Sequence, residues 1–205
     1  ADGAFDKLDL LGRELCGVAI FDRVMVSRVR GSTWFPELLY AVGTDGRVSV
    51  DVDESGAGVD SLEIALASPL VEAEVVRRRL PGLMRDAVHE PRAHRPLVER
   101  IGIREYVVAP IVACGAVIGM LHADAAVTER PLTELDRDLL RMFADGVGLV
   151  YERADLAERH ELQRRAVADM AAAAARSLES MDGPTVPELM AAAAQPADAG
   201  APAVV

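Results

Sequence analysis

The residues able to do chemistry are few and scattered. His122 closes the run VIGMLHAD, and strand alternation puts it on one face with Met120 and Asp124. An imidazole there is a candidate haem ligand or ligand-sensing donor. A single histidine without a second aromatic wall makes a poor haem site, so the expected role is a strand-end histidine bonded to backbone or to Asp124. Cys114 lies at a turn and Cys16 near the end of a helical pattern. Two cysteines so placed form neither a disulfide framework nor a zinc site, and a thiol at a corner is usually inert. Asp51, Asp53 and Glu54 lack the glycine and bidentate-glutamate spacing of a calcium loop and read as a solvated acidic loop. Asp86, His89, Arg92 and His94 cluster in sequence. Arg92 there meets an anionic ligand or, as preferred, pairs with Asp86 or Glu90. No nucleophile–base pair and no metal set emerges, so neither an enzyme nor a metal centre is expected, and no cofactor.

The stretch that positions His122 runs from Arg104 to Asp124. Two runs rich in Val and Ile, Tyr106–Ala113 and Ala116–Leu121, meet at Cys114-Gly115. Each is too short for a helix, and the glycine corner makes them a β-hairpin buried on both faces. Val107, Ala109 and Ile111 face one layer, and Tyr106, Val108 and Val112 the other. Which layer holds a pocket is left open.

The remaining elements follow from pattern. Phe5, Leu8, Leu11 (or Leu10) and Leu15 are spaced as on an amphipathic helix from Ala4 to Val18, with Asp2 as N-cap and Gly17 as stop. Arg23–Arg30 reads as a strand with a polar component on one face. Trp34–Val42 is the returning strand, with Pro36 pushing part of it towards an edge or bulge. An acidic loop with a short strand at Val48–Val52 comes next. Ser61–Leu66 reads as one or two helical turns, and Ser68-Pro69 starts a helix to about Arg79. A short strand at Leu83–Val88, a loop, and a short helix at Leu97–Ile101 lead into the hairpin. Behind Pro131 and Thr133, Leu135, Leu139, Met142, Gly146, Leu149, Arg153 and Leu156 step by threes and fours along a long helix. Phe143, Val147 and Val150 give its early part a second buried side. Asp182-Gly183-Pro184 ends it, and an Ala/Pro-rich linker follows.

Composition excludes some partners. A net charge of −11, with Lys7 the only lysine, argues against gripping a nucleic-acid backbone or an anionic membrane surface. No apolar run reaches the length of a membrane span, and a reducing cytoplasm is the expected location. Ala1 in place of Met predicts a fragment or a processed form.

With these residues in hand, the chain resembles a GAF domain over roughly Ala4 to Arg153. The resemblance rests on YVVAPIVACGAVIGMLHAD followed by LTELDRDLLRMFADGVGLVYERADL. Ile118-Gly119-Met120-Leu121 and Leu135-Asp136-Leu139-Leu140-Phe143-Ala144 match the family pattern, while Asp145-Gly146 stands where the family often has Gln. The resemblance implies an α+β fold. A central antiparallel sheet of about six strands would carry N- and C-terminal helices on one face and a possible ligand pocket on the other. It implies a GAF domain at 1–153, an extended exit helix at 154–178 and a linker at 179–205. The pocket would draw on Trp34, Leu38, Leu70, Val75, Met84, Tyr106, Met120 and His122; the alternative is that these fill a dry core. The LHAD and YERADLxERxELQRR segments look like the sensory part of bacterial GAF-containing LuxR-type transcription regulators. That resemblance implies an unknown small-molecule ligand, a homodimer through the first and last helices, and an effector such as a helix-turn-helix beyond Val205. Three family activities are not expected. Cyclic-nucleotide binders carry an Asn-Lys…Phe…Asp-Glu set that is missing. Bilin carriers need a Cys near His89 and His94. Methionine sulfoxide reductases use several cysteines.

Overall fold

A computed structural model of the chain describes residues 15–16, 20–43, 45–50, 59, 62–67 and 69–181, with single positions at 187 and 190. In chain order the elements are β1 (Arg23–Arg30), β2 (Thr33–Val42), β3 (Val48–Val50), β4 (Ile64–Ala65), α1 (Val71–Arg78), β5 (Gly82–Met84), α2 (Arg95–Ile101), β6 (Tyr106–Ala113), β7 (Ala116–Asp124) and α3 (Glu134–Met181). Seven strands among the described residues form one antiparallel sheet in the order β3-β2-β1-β7-β6-β5, with β4 also paired to β2. The fold is thus α+β, as expected. The chain divides into two compact units, residues 1–156 and 157–205. In the second, the described helical residues up to 178 are exposed, apart from half-buried Glu161.

The apolar runs are buried on both sides because the sheet has a layer on each face. One layer packs Leu140, Ala144 and Val147 of α3, with Leu15 and Cys16, on Val24, Val26, Val107, Ala109, Ile111 and Leu121. The other packs Val75 of α1 and Leu97 and Val98 of α2 on Met25, Val29, Trp34, Tyr106, Val108 and Met120. Val107, Ala109 and Ile111 therefore face the α3 layer, and Tyr106 and Val108 the layer of α1 and α2, as alternation predicts, while Val112, at the bulge, belongs to neither layer. β1 is buried from Val24 to Ser27 and at Val29, while Arg28, paired with Glu37, is half-buried and Arg30 exposed. Its Ser27 is buried and donates to the Met120 carbonyl at 3.0 Å.

Two bulges change the alternation. On β2 the register steps from Val26↔Leu38 to Ser27↔Pro36, so Glu37 is the extra residue. On β7 it steps from Ile111↔Gly119 to Val112↔Val117, leaving Ile118 extra. The hairpin corner is a two-residue turn with φ of 50° at Cys114 and 75° at Gly115. Both being positive matches the twist of the flanking strands.

Several expectations need correction. Ser61–Leu66 is not helical: Ile64–Ala65 is a strand paired with Thr33–Trp34. The strand expected at Leu83–Val88 is only Gly82–Met84, and turns follow it. Helix α1 starts at Val71 after Leu70, without a side-chain cap; Ser68 lies outside the described residues. So do the first helix, except Leu15 and Cys16, and the acidic residues Asp51, Asp53 and Glu54.

The long helix has one face on the sheet in the first unit, not two. Thr133 and Asp136 open it reciprocally: Asp136 accepts from the Thr133 N–H and hydroxyl, and the Asp136 N–H points at Thr133 Oγ1. Leu140, Ala144 and Val147 are buried, whereas Leu135, Met142 and Leu149 of the expected seam are 67%, 71% and 63% exposed. Small residues set which side docks. A Cβ on Gly148 would collide with the Val112 carbonyl oxygen, while a Cβ on Gly146 would meet nothing within 4 Å. Gly148→Ala is therefore expected to lose about 1–3 kcal/mol by overpacking, and Gly146→Ala to gain about 0.5–1 kcal/mol from helix propensity. Urea denaturation of the two variants checks this opposition.

Candidate functional site

The chemistry collects on the sheet face away from α3. β7 delivers His122, whose direct neighbours are Met25 on β1 and Val108 on β6. Trp34 reaches it from β2, and the two rings stack with centroids 5.1 Å apart and planes at 16°. Tyr106 from β6 stands 5.6 Å away, tilted at 45°. Helix α1 completes the group. Its inward positions are Glu72 and Val75, while outward Glu74 pairs with Arg78 at 2.8 Å. Glu72 thus enters the apolar layer, 2% exposed.

Glu72 is held there by its neighbours. The Tyr106 hydroxyl donates to Glu72 Oε1 at 2.7 Å, and His122 Nε2 lies 3.5 Å from the same oxygen. Burial pushes the Glu72 carboxyl up, but His122 and Tyr106 together outweigh burial and hold it below the usual glutamate range. Its place in the first turn of α1, where the helix dipole favours negative charge, acts in the same direction. Burial, followed by the Glu72 charge, raises the Tyr106 hydroxyl well above its ordinary value, so it remains a donor.

A cavity opens beside these groups, with about 30 Å³ available to the centre of a water molecule. Met25 and Leu39 line it from the sheet, and Leu97, Val98, Ile101 and Ile103 from α2 and the residues after it. Arg23 and Asp124, direct cross-strand partners, close one side. Arg23 Nε donates to both Asp124 oxygens at 3.1 and 3.0 Å, Nη2 lies 2.8 Å from Oδ2, and Nη1 donates to the Ile101 carbonyl at 2.6 Å. The pair thereby ties the end of α2 to the sheet. Burial raises the Asp124 carboxyl above its ordinary value in spite of Arg23. His94 caps α2, its Nδ1 accepting from the Leu97 N–H at 3.3 Å, and burial lowers its pKa.

Five buried atoms in this wall have no hydrogen-bond partner among the described residues: Arg23 Nη2, Trp34 Nε1, Glu72 Oε2 and both ring nitrogens of His122, although Arg23 Nη2 lies in the ion pair with Asp124 and His122 Nε2 lies 3.5 Å from Glu72 Oε1. Buried polar atoms are normally satisfied, and leaving one bare costs about 1–3 kcal/mol.

Of the residues expected to form a pocket, Trp34, Tyr106 and His122 line this cavity. Val75, Met84 and Met120 belong to the same apolar layer, and Leu70 packs against it, but none of these four lines the cavity. Leu38 packs in the opposite layer, because the bulge at Glu37 gives its place to Leu39. His122 meets Glu72 rather than backbone or Asp124, and it has the aromatic neighbours that the sequence reading denied it. Glu72 and Arg23 were missed. The only sequence signal for Glu72 is its i,i+3 relation to Val75. Arg92 pairs with Glu90 at 2.9 Å, as preferred, and His89 with Asp86 at 2.9 Å. Cys16 is buried, its thiol pushed up to about 12 by burial, and Cys114 is exposed at the hairpin tip; neither lines the cavity. Among the described residues no group of three His, Cys, Asp or Glu side chains is placed to hold a metal.

The family profile of the GAF domain matches residues 7–150. The chain belongs to the GAF family. A methyl-accepting chemotaxis protein fragment, residues 122 to 287, shares the fold with a TM-score of 0.59 at 19% identity, over 75% of this chain and 92% of that one. The GAF domain/HD domain protein from Geobacter sulfurreducens gives 0.57 at 15%, over 75% and 94%. The type II free methionine-R-sulfoxide reductase from Thermoplasma acidophilum gives 0.52 at 14%, over 74% and 94%. No curated protein is similar to the chain by sequence. GAF domains are mainly sensory and signalling modules, and the reductase marks the fold as one that also hosts enzymes.

Because the folded Glu72 pKa lies below its unfolded value, its contribution to stability is fully present above an unfolded pKa of about 4.3. That contribution is lost as pH falls through the folded pKa. Carboxyl-carbon NMR titration is expected to show Glu72 titrating below the exposed glutamates, and Glu72→Gln is expected to flatten the stability profile in that acid window.

Proposed function

We propose that this GAF domain is a non-catalytic sensor. It binds a small molecule between the sheet and α1–α2 and passes the change to α3. The observation that carries the reading is the set of unpartnered buried polar atoms at an otherwise apolar cavity. A ligand that satisfies them gains hydrogen bonds in a desolvated site. β7 links that wall to α3. Asp124 Oδ1 accepts from the Ala126 N–H, and Arg130 pairs with Asp136 in the first turn of α3, while Glu105 Oε1, at the start of β6 beside β7, accepts from the Leu132 N–H. A shift of β7 therefore has a bonded route to the helix, and a ligand that favours one position of β7 biases it.

The proposal extends to a homodimer through the first and last helices. Its support is the exposed apolar stripe Leu135, Met142 and Leu149. The wider context proposed is a cytoplasmic transcription regulator with its effector, such as a helix-turn-helix, elsewhere in the protein. No described helix is long and apolar enough to cross a membrane, and the net charge of −11 opposes direct contact with nucleic acid. No cofactor, haem included, is proposed. A second reading, a ligand-free dimerisation module with a filled core, is favoured by the small cavity and by the packing of Val75, Met84 and Met120 behind it.

Thermal shift against a metabolite panel separates the two. A ligand at 100 times its Kd is expected to add about 2.7 kcal/mol, and Trp34→Phe to reduce the response. A chain that is bare by native mass spectrometry and unresponsive to the panel supports the filled-core module, and a Soret band would establish haem. Sedimentation is expected to show a dimer that Met142→Glu with Leu149→Glu converts to monomer.

A further inference from the structure

A wider groove crosses the end of the sheet, where β5 stops, β6 starts and β7 stops. It offers about 550 Å³ to the centre of a water molecule, against about 30 Å³ in the cavity. Sites for small metabolites are about 300–1,000 Å³. Asp124 borders both spaces. Six of the nine residues lining the groove are Arg, Asp or Glu, so an apolar ligand gains nothing there.

Those six charges are not all matched. Asp124 pairs with Arg23, and Arg130 with Asp136. Two others hold the head of α3: Glu105 Oε1 accepts from the Leu132 N–H at 2.9 Å, and Arg85 Nη1 donates to the Leu132 carbonyl at 3.3 Å. The last two, Arg104 and Glu129, form no side-chain hydrogen bond or ion pair among the described residues. Opposite charges thus line one groove without touching each other.

Both stand on pinned backbone. The Arg104 carbonyl accepts from the Ala87 N–H at 2.7 Å, which continues the contact of β5 with β6 and keeps Arg85 and Arg104 on neighbouring segments. Before Glu129, Asp22 Oδ2 accepts from the Val127 N–H, the Thr128 N–H and the Thr128 hydroxyl at 2.9, 2.7 and 2.8 Å. After it, Arg130 holds Asp136 and the Ile20 carbonyl. A ligand with a single charge would satisfy one of the two free groups and meet the other as a like charge. A zwitterion satisfies both: its carboxylate accepts from a guanidinium, and its ammonium donates to a carboxylate.

We propose that this groove binds an α-amino acid, with its carboxylate on Arg104 and Arg85 and its ammonium on Glu129. The site is separate from the cavity of the sensor reading and does not depend on it. Because Arg85 also donates to Leu132, the bound carboxylate competes for that donor at the head of α3.

The test uses three matched probes on the full chain: glutamine, N-acetylglutamine, which lacks the cation, and glutaminamide, which lacks the anion. Binding is read from NMR shifts of the Gly102, Ala126 and Leu132 amides, with the Trp34 indole reporting on the cavity. Glutamine is expected to move the groove amides, leave the indole still, and bind roughly fivefold or more tightly than either analogue, the worth of one exposed ion pair. Arg104→Gln and Glu129→Gln are each expected to weaken it by the same factor. Should either variant fail to fold, the ranking of the three probes on the native chain decides. An analogue that binds as tightly as glutamine, folded variants with undiminished affinity, or groove amides that none of the probes moves overturns the proposal. A probe that shifts only the indole overturns it as well, and supports the cavity reading instead.

Discussion

Three adjacent strands, β1, β7 and β6, have no solvent face, and the rest of the structure answers to that constraint. Their backbone groups are satisfied by one another. Their side chains must be divided between two layers, one under α3 and one under α1 and α2. Alternation assigns each residue to a layer, so a one-residue shift exchanges the two sets. The bulges at Glu37 and Ile118 are local shifts of that kind. The first brings Leu39 in place of Leu38 to the cavity side. At the second, β7 runs so close to β1 that a Cβ on Gly119 would collide with the Ser27 carbonyl oxygen.

The two layers differ in chemistry. The α3 side is a dry apolar contact in which Ala144 and Gly148 bring the helix backbone down onto the sheet. The other side contains a buried carboxylate, an imidazole, an indole and a phenol within contact distance. Burying an ion carries a desolvation penalty of several kcal/mol, which for Glu72 the His122 and Tyr106 contacts offset. Such a group is weak support for stability. The Arg23–Asp124 pair has a different role: three contacts hold the two side chains together, and the bond from Arg23 to the Ile101 carbonyl fixes the end of α2 relative to the sheet.

In the proposed sensor, helix α3 carries the output. One face of its first unit is fixed by packing on the sheet, and its start is bonded to the segment that leaves β7. The apolar residues that the sheet does not use remain outward. In the proposed sensor, the polar wall and the helix that carries the output lie on opposite faces of one sheet, with β7 common to both.

Much of the fold was legible in the chain. Val/Ile runs, the Cys114-Gly115 corner and helical spacing are local signals, and they defined β1, β6, β7, α2 and α3, the antiparallel hairpin and the division of its two faces. The family motifs are equally local, being apolar positions on those same elements. His122, Trp34 and Tyr106 stood out because bulky or titratable residues in apolar strands are visible without knowing their neighbours. The bulge at Glu37 was not visible, since it depends on how β2 meets β1, and so Leu38 was placed on the wrong face. Nor was the side of α3 that docks, because two apolar stripes compete and the close approach at Gly148 decides between them. Glu72 was missed for the deepest reason: a carboxylate on a short amphipathic helix reads as solvent-facing. By itself the sequence determined the long strands, the long helix and the double cover of the sheet, but not the short strand at Ile64–Ala65. Only the tertiary structure decided that Glu72, His122, Trp34 and Tyr106 share one wall, because they come from four elements whose packing no local pattern encodes.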